Sequence, residues 1–141
     1  MATDTLVFVS CADSGELHVL RLASDSGQLR TEQVLALGGQ LMPMALSPDG
    51  TRLYVARRSD PLAVVTLAVD ARAGRAEMLA EAPLPASMAH LATDNTGRWL
   101  LSASYGADLV AVQAIAADGV VAAGRGATTY ATGRHAHSAL V

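Results

Sequence analysis

Ser47-Pro48-Asp49-Gly50-Thr51-Arg52-Leu53-Tyr54-Val55-Ala56 is the stretch whose reading decides the fold, because it recurs. Proline presets φ, aspartate can bond its own backbone and glycine accepts positive φ, so Ser-Pro-Asp-Gly predicts a tight turn. Leu53-Tyr54-Val55 supplies the β-branched and aromatic residues of a packed strand, and Met44-Ala45-Leu46 supplies the hairpin partner before the turn. The unit reads strand, turn, strand.

It returns at Ala92-Thr93-Asp94-Asn95-Thr96-Gly97-Arg98-Trp99-Leu100-Leu101, with Arg52 falling on Arg98 at an offset of 46 residues. The strand half also appears earlier, since Leu6-Val7-Phe8-Val9 matches Leu53-Tyr54-Val55-Ala56 at an offset of 47. A period of this size is close to the roughly 40–45 residues of a four-stranded propeller blade. The expected fold class is therefore all-β, an incomplete β-propeller of antiparallel blades. Propellers carry about four to eight blades, and four such units exceed the 141 residues present. The chain is accordingly expected to be a piece of a longer protein.

Along the chain, 1–40 predicts a blade lacking its inner strand: Leu6–Ser10, Leu17–Leu22 and Leu29–Leu37, with turns at Asp13-Ser14-Gly15 and Asp25-Ser26-Gly27. Residues 41–86 predict a complete blade with strands Met42–Leu46, Arg52–Arg57, Leu62–Val69 and Ala76–Glu81. The run Leu62–Val69 is almost continuously apolar, as in a strand covered on both faces. A helix is the alternative there, and its length, its β-branched residues and the flanking Pro61 and Gly74 favour the strand. Residues 87–132 predict a second complete blade through Trp99–Ser104, Leu109–Ile115 and Val120–Arg125, and 133–141 the first strand of the next.

Composition bounds the function. Hydrophobic residues make up 51% of the chain and the formal net charge is −3, with no Lys/Arg run, so no footprint for nucleic acid is present. Met1-Ala2-Thr3-Asp4 lacks a basic leader region and the apolar run after it is short, so neither a signal peptide nor a membrane contact is expected and the default location is cytoplasmic. One cysteine, Cys11, excludes an internal disulfide. It reads as a small buried hydrophobe.

Copies that agree in the blade and differ near the axis point to the chemistry. Aligned, Met42, Met88 and His137 start the innermost strands, while Cys11, Arg58 and Ser104 end the second strands, followed by Ala12, Ser59 and Tyr105. His137, in Arg134-His135-Ala136-His137-Ser138, is a group able to exchange protons near neutral pH, or a histidine bonded within a loop. His-x-His is also a possible metal pair, but no Asp, Glu or Cys lies nearby to complete it. Arg58 can bind an anion in bidentate fashion or pair with Asp60. Tyr105 can stack on a ligand or fill a packing gap. His90 and His18 read as structural strand histidines.

The series Met42-Pro43-Met44-Ala45-Leu46-Ser47-Pro48-Asp49, then Leu53-Tyr54-Val55, Ser104-Tyr105-Gly106 and His137-Ser138-Ala139 resembles the N-terminal part of bacterial seven-bladed propeller 6-phosphogluconolactonases. The resemblance implies about two and three-quarter blades of seven. It also implies hydrolysis of 6-phospho-D-glucono-1,5-lactone to 6-phosphogluconate in the pentose phosphate pathway, without metal or cofactor. Related muconate-lactonising propellers use an axial histidine with arginines and a glutamate. By that likeness His137 is the acid/base candidate and Arg58 a phosphate or carboxylate contact. Tyr105 becomes a pocket wall, and Ser104 and His135 complete the substrate-binding set. The partner is a small sugar lactone, and the piece alone, lacking the later blades, is expected to be inactive and open to edge-strand association. The rival reading is a non-enzymatic propeller scaffold.

Overall fold

The computed structural model describes residues 3–141. Met1 and Ala2, which open the first unit and the stretch read above for a leader, lie outside the described residues. Eleven strands follow one another without an α-helix among the described residues. In the first sheet, β1 (Thr5–Cys11), β2 (Glu16–Leu22) and β3 (Leu29–Ala36) pair in sequence order. The second sheet holds β4 (Leu41–Leu46), β5 (Arg52–Arg57), β6 (Ala63–Asp70) and β7 (Arg75–Pro83). The third holds β8 (His90–Thr93), β9 (Trp99–Ser104), β10 (Leu109–Ala114) and β11 (Ala127–Ala131). Every pairing is antiparallel, and β4 packs against both β1 and β8. The chain is an all-β partial propeller.

The middle sheet carries the core on both sides. Along β5, Leu53 and Val55 pack toward the first sheet with Leu17, Val19, Leu41 and Val65, while Tyr54 and Ala56 pack toward the third with Leu91, Leu100 and Ala111. Successive side chains of a strand point to opposite faces, so a strand covered twice is buried at every position and is mostly apolar. That is the reason Ala63 to Leu67 is buried without a break. Tyr54 satisfies its one polar atom by donating to Gly119 O at 2.7 Å, and burial pushes its phenol up to about 12.

The repeated turn is built as its residues require. Gly50 and Gly97 take φ of 71° and 70°, values that favour glycine. The Asp49 carboxylate accepts from the Ser47 hydroxyl at 2.6 Å and from the Thr51 N–H at 2.9 Å, and these bonds hold its pKa down to about 2. In the second copy Asp94 accepts from the N–H groups of Arg98 and Trp99, both at 2.9 Å.

Three expectations require correction. Val120–Arg125 is not a strand: Val121 makes an isolated bridge to Ile115, Ala123–Arg125 forms a 3₁₀ turn, and the outer strand is β11 further on. Gly124 and Gly126 explain the interruption, since glycine is a poor strand residue and Gly126 sits at φ 62°. Residues 133–141 form no strand either. An extended segment needs a ladder partner, and this one instead bonds through the Ala139 N–H to His90 Nδ1 at 3.3 Å. Cys11 is partly exposed rather than buried.

The ends of β5 and β7 are tied by an ion pair. Arg57, 8% exposed, donates to Glu81 through both terminal nitrogens at 3.1 and 2.8 Å, and also to the carbonyls of Leu37 and Gly38, each at 3.2 Å. The bonds from Arg57 hold the Glu81 carboxyl below its usual range and raise Arg57. A carboxylate depressed in the folded state stabilises above its unfolded pKa of about 4.3 and ceases to do so as pH falls through the folded value.

Two measurements check this architecture. Leu67→Ala, at a fully buried site, is expected to lower the unfolding free energy by about 2–5 kcal/mol in urea titration, whereas Leu79→Ala, 44% exposed, is expected to stay within about 0.5 kcal/mol. Glu81→Gln is expected to be less stable than the parent at pH 7, with the difference shrinking steadily as pH is lowered below about 4. A gap that does not depend on pH would show that the ionised pair does not stabilise the fold.

Candidate functional site

In the two four-stranded sheets, antiparallel pairing brings the end of the second strand beside the start of the innermost one. Leu41 lies opposite Arg57, and His90 opposite Ala103. The turns Ser47–Gly50 and Asp94–Gly97 occupy the other end, so the sheets divide the candidate residues as their order along the chain suggests.

The register between copies differs from the expected one by a residue. Arg57 ends β5 and Ser104 ends β9; both are buried, at 8% and 1% exposure. Arg58 therefore corresponds to Tyr105, not to Ser104, and each is the first residue to leave its sheet. Met42 is 41% exposed while Leu41 and Met88 are fully buried, so Leu41 rather than Met42 matches Met88. The interval between the turn glycines Gly50 and Gly97 is one residue longer than that between Arg52 and Arg98, and the ladders follow the glycines: Arg52 matches Trp99.

Around Tyr105 three rings meet. His135 lies flat on it, with centroids 4.2 Å apart and planes 9° from parallel. His137 approaches edge-on at 5.9 Å and 89°. The contact depends on a local backbone device. Asp108 and His135 are the non-glycine residues with positive φ, at 54° and 61°, and the His135 N–H donates to Asp108 Oδ1 at 2.6 Å. Asp108 O also accepts the Thr132 N–H at 2.9 Å. Non-glycine residues held in this conformation cluster at functional sites. Asp108 thus fastens the segment carrying both histidines to the turn that presents Tyr105.

Arg58 reaches the same region from the middle sheet. Its backbone N–H donates to Gln40 O at 2.8 Å and its Nε to Ser87 Oγ at 3.0 Å. Ser87 O in turn accepts from Ser104 Oγ at 2.7 Å, and that hydroxyl takes the Ala107 N–H at 3.2 Å. A continuous hydrogen-bonded line therefore runs from Arg58 to the turn bearing Tyr105. Arg58 makes no ion pair with Asp60 among the described residues. The linker that sets its backbone is itself confined: a Cβ on Gly39, at φ 70°, would lie 2.6 Å from Ser59 Oγ and 2.7 Å from Arg57 Cδ.

Of the residues expected from the sequence, Tyr105, His135 and His137 are brought into contact, and Ser104 and Arg58 join them through Ser87. His90 accepts from Ala139, as a satisfied strand histidine does, and His18 contacts Glu16 at 3.1 Å. No cluster able to hold a metal ion occurs among the described residues. Ser87 and Asp108 were not read from the sequence. Asp108 had a signal, a polar residue tolerant of left-handed backbone between two strands; Ser87 had none.

A cleft of about 490 Å³ opens at the opposite end, between the Ser47–Thr51 turn and Ile115–Gly119. Its Arg52 donates to Asp118 O at 3.1 and 2.9 Å and to Thr51 O at 2.9 Å, so its guanidinium is engaged within the fold.

Comparison with known proteins identifies the family. Residues 4–140 match the family model "Lactonase, 7-bladed beta-propeller". A 6-phosphogluconolactonase of Serratia proteamaculans is 41% identical over 118 residues, 84% of this chain and 35% of its own length. One of Pectobacterium atrosepticum is 40% identical over 116 residues, 82% of this chain and 34% of its own length. The chain thus spans about a third of the curated relatives it matches. Among solved structures, the periplasmic gluconolactonase of Pseudomonas aeruginosa superposes with a TM-score of 0.79 at 25% identity, over 95% of this chain and 38% of that one. A Bacteroides fragilis structure reaches a TM-score of 0.83 at 18% identity, over 95% of this chain and 38% of that one, a likeness of fold alone. No helix among the described residues is long and apolar enough to cross a membrane. With the repeat, the sheets and the matched residues in agreement, the chain belongs to the seven-bladed β-propeller lactonase family.

Proposed function

We propose that the whole protein to which this chain contributes hydrolyses 6-phospho-D-glucono-1,5-lactone to 6-phosphogluconate, and that the chain supplies part of the binding site. The names of the curated relatives support the substrate. The observation that carries the site assignment is the meeting of His137 with Tyr105 at 5.9 Å, on the turn linked to Arg58. A phosphorylated sugar lactone is an intracellular metabolite, so the site of action is the cytoplasm and the step belongs to the pentose phosphate pathway.

The chemistry asks for little. Water attacks the lactone carbonyl while neutral His137 takes its proton, and a tetrahedral oxyanion forms. Collapse breaks the ring C–O bond, and the protonated imidazole returns its proton to the departing ring oxygen. Cationic groups stabilise the oxyanion, and in this assignment they belong to later blades. Arg58 holds the phosphate, Tyr105 and His135 form a wall for the sugar ring, and Ser104 fixes the turn beneath them. The three sheets are then successive blades, 1–40, 41–86 and 87–132.

In the whole protein, His137→Ala is expected to lower kcat by about tenfold or more in a lactone-hydrolysis assay. Unchanged turnover would remove His137 from the mechanism, and absence of any lactonase activity in the parent would favour a scaffold. The 141-residue chain alone is expected to show no turnover above spontaneous hydrolysis and to associate in light scattering, because the third sheet leaves Trp99 45% and Tyr130 57% exposed. A strict monomer with measurable catalysis would contradict both expectations.

A further inference from the structure

We infer that Ser87 is a positioning residue that sets Arg58 as an end-on, two-pronged receptor for a phosphate group. Three arginines lie on or next to β5, and they are not equivalent. Arg52 is engaged with Asp118 O and Thr51 O, and Arg57 spends its guanidinium on Glu81, Leu37 O and Gly38 O. Arg58 uses only Nε, on Ser87 Oγ. Both terminal nitrogens of Arg58 are without partners among the described residues. The guanidinium is planar, so fixing Nε fixes the plane and the direction of the remaining fork. With the Nε side occupied, an oxyanion can approach only at the two terminal nitrogens, the geometry that matches two oxygens of a phosphate.

The serine is held where this requires it. It sits between buried Ala86 and Met88, its carbonyl accepts from the buried Ser104 hydroxyl at 2.7 Å, and two residues on the Ala89 N–H donates to Ala103 O at 2.7 Å. Its hydroxyl therefore belongs to the frame of the third sheet while the guanidinium it orients belongs to the second. Without that bond a long, rotamer-rich side chain must be ordered by the ligand itself, at a cost in affinity.

Which phosphate is bound rests on the preceding reading, whereas phosphate binding itself does not. The test titrates the whole protein calorimetrically with inorganic phosphate and, separately, with 6-phosphogluconate, at fixed low ionic strength. Ser87→Ala is expected to weaken both by about fivefold with an unchanged melting temperature, and Ser87→Thr, which keeps the hydroxyl, to return affinity to within about twofold of the parent. Arg58→Lys keeps the charge but lacks Nε and the fork, and is expected to bind at least about fivefold more weakly; it decides the matter should Ser87→Ala fail to fold. No phosphate binding by the parent, or parental affinity in Ser87→Ala or Arg58→Lys, overturns the inference. Phosphate binding that depends on Ser87, in a protein whose whole form hydrolyses no lactone, would sustain this inference and contradict the lactonase reading.

Discussion

The two central strands of the middle sheet, β5 and β6, are buried on both faces, and everything else follows from that constraint. Leu53 and Val55 must be covered by the first sheet while Tyr54 and Ala56 are covered by the third. Neither neighbour is optional: removing one exposes half of β5 and β6 to water, a loss of about 1.5–3 kcal/mol for each large side chain uncovered. The sheets are therefore stacked face to face in a fixed order, with β4 in contact with both β1 and β8. Stacking of this kind converts a repeat in sequence into a repeat in space, so that equivalent positions form rows.

One such row lies at the ends of β1, β5 and β9, where the fold's demands weaken and residue identity is free to diverge. Arg57 and Ser104 still serve the frame, the first tying β5 to β7 and the 37–38 linker, the second holding the 104–107 turn. One residue further along, Arg58 and Tyr105 leave the sheets. The step from frame to site is thus a single peptide bond, and the engaged Arg57 beside the available Arg58 shows how sharply hydrogen bonding separates the two roles.

The strand and turn plan was legible because it depends on local chemistry repeated at a nearly constant interval: Asp49 and Gly50, then Asp94 and Gly97, each closing a turn before an apolar run. Register was less so. The like-for-like pair Arg52 and Arg98 suggests one alignment and the turn glycines Gly50 and Gly97 another, one residue apart, and only the strand ladders decide for the glycines. Val120 and Val121 look like strand residues, yet only the partner β10 can decide where pairing begins, and it pairs with Ala127–Ala131. In the candidate site, the residues that meet were legible and the bonds that join them were not. Tyr105, His135 and His137 stand out by type, whereas Ser87 and Asp108 act through a hydroxyl and a carboxylate whose partners lie 29 and 27 residues away.

At this end of the sheets an arginine, a tyrosine and a pair of histidines are gathered by two hydrogen-bonded clamps at Ser87 and Asp108. The most direct test of that gathering is proton NMR of the aromatic rings. His135 ring protons lying flat over Tyr105 are expected to shift upfield and to show cross-relaxation with the tyrosine ring, as are the edge protons of His137. Random-coil shifts for both histidines, without contact to Tyr105, would contradict it.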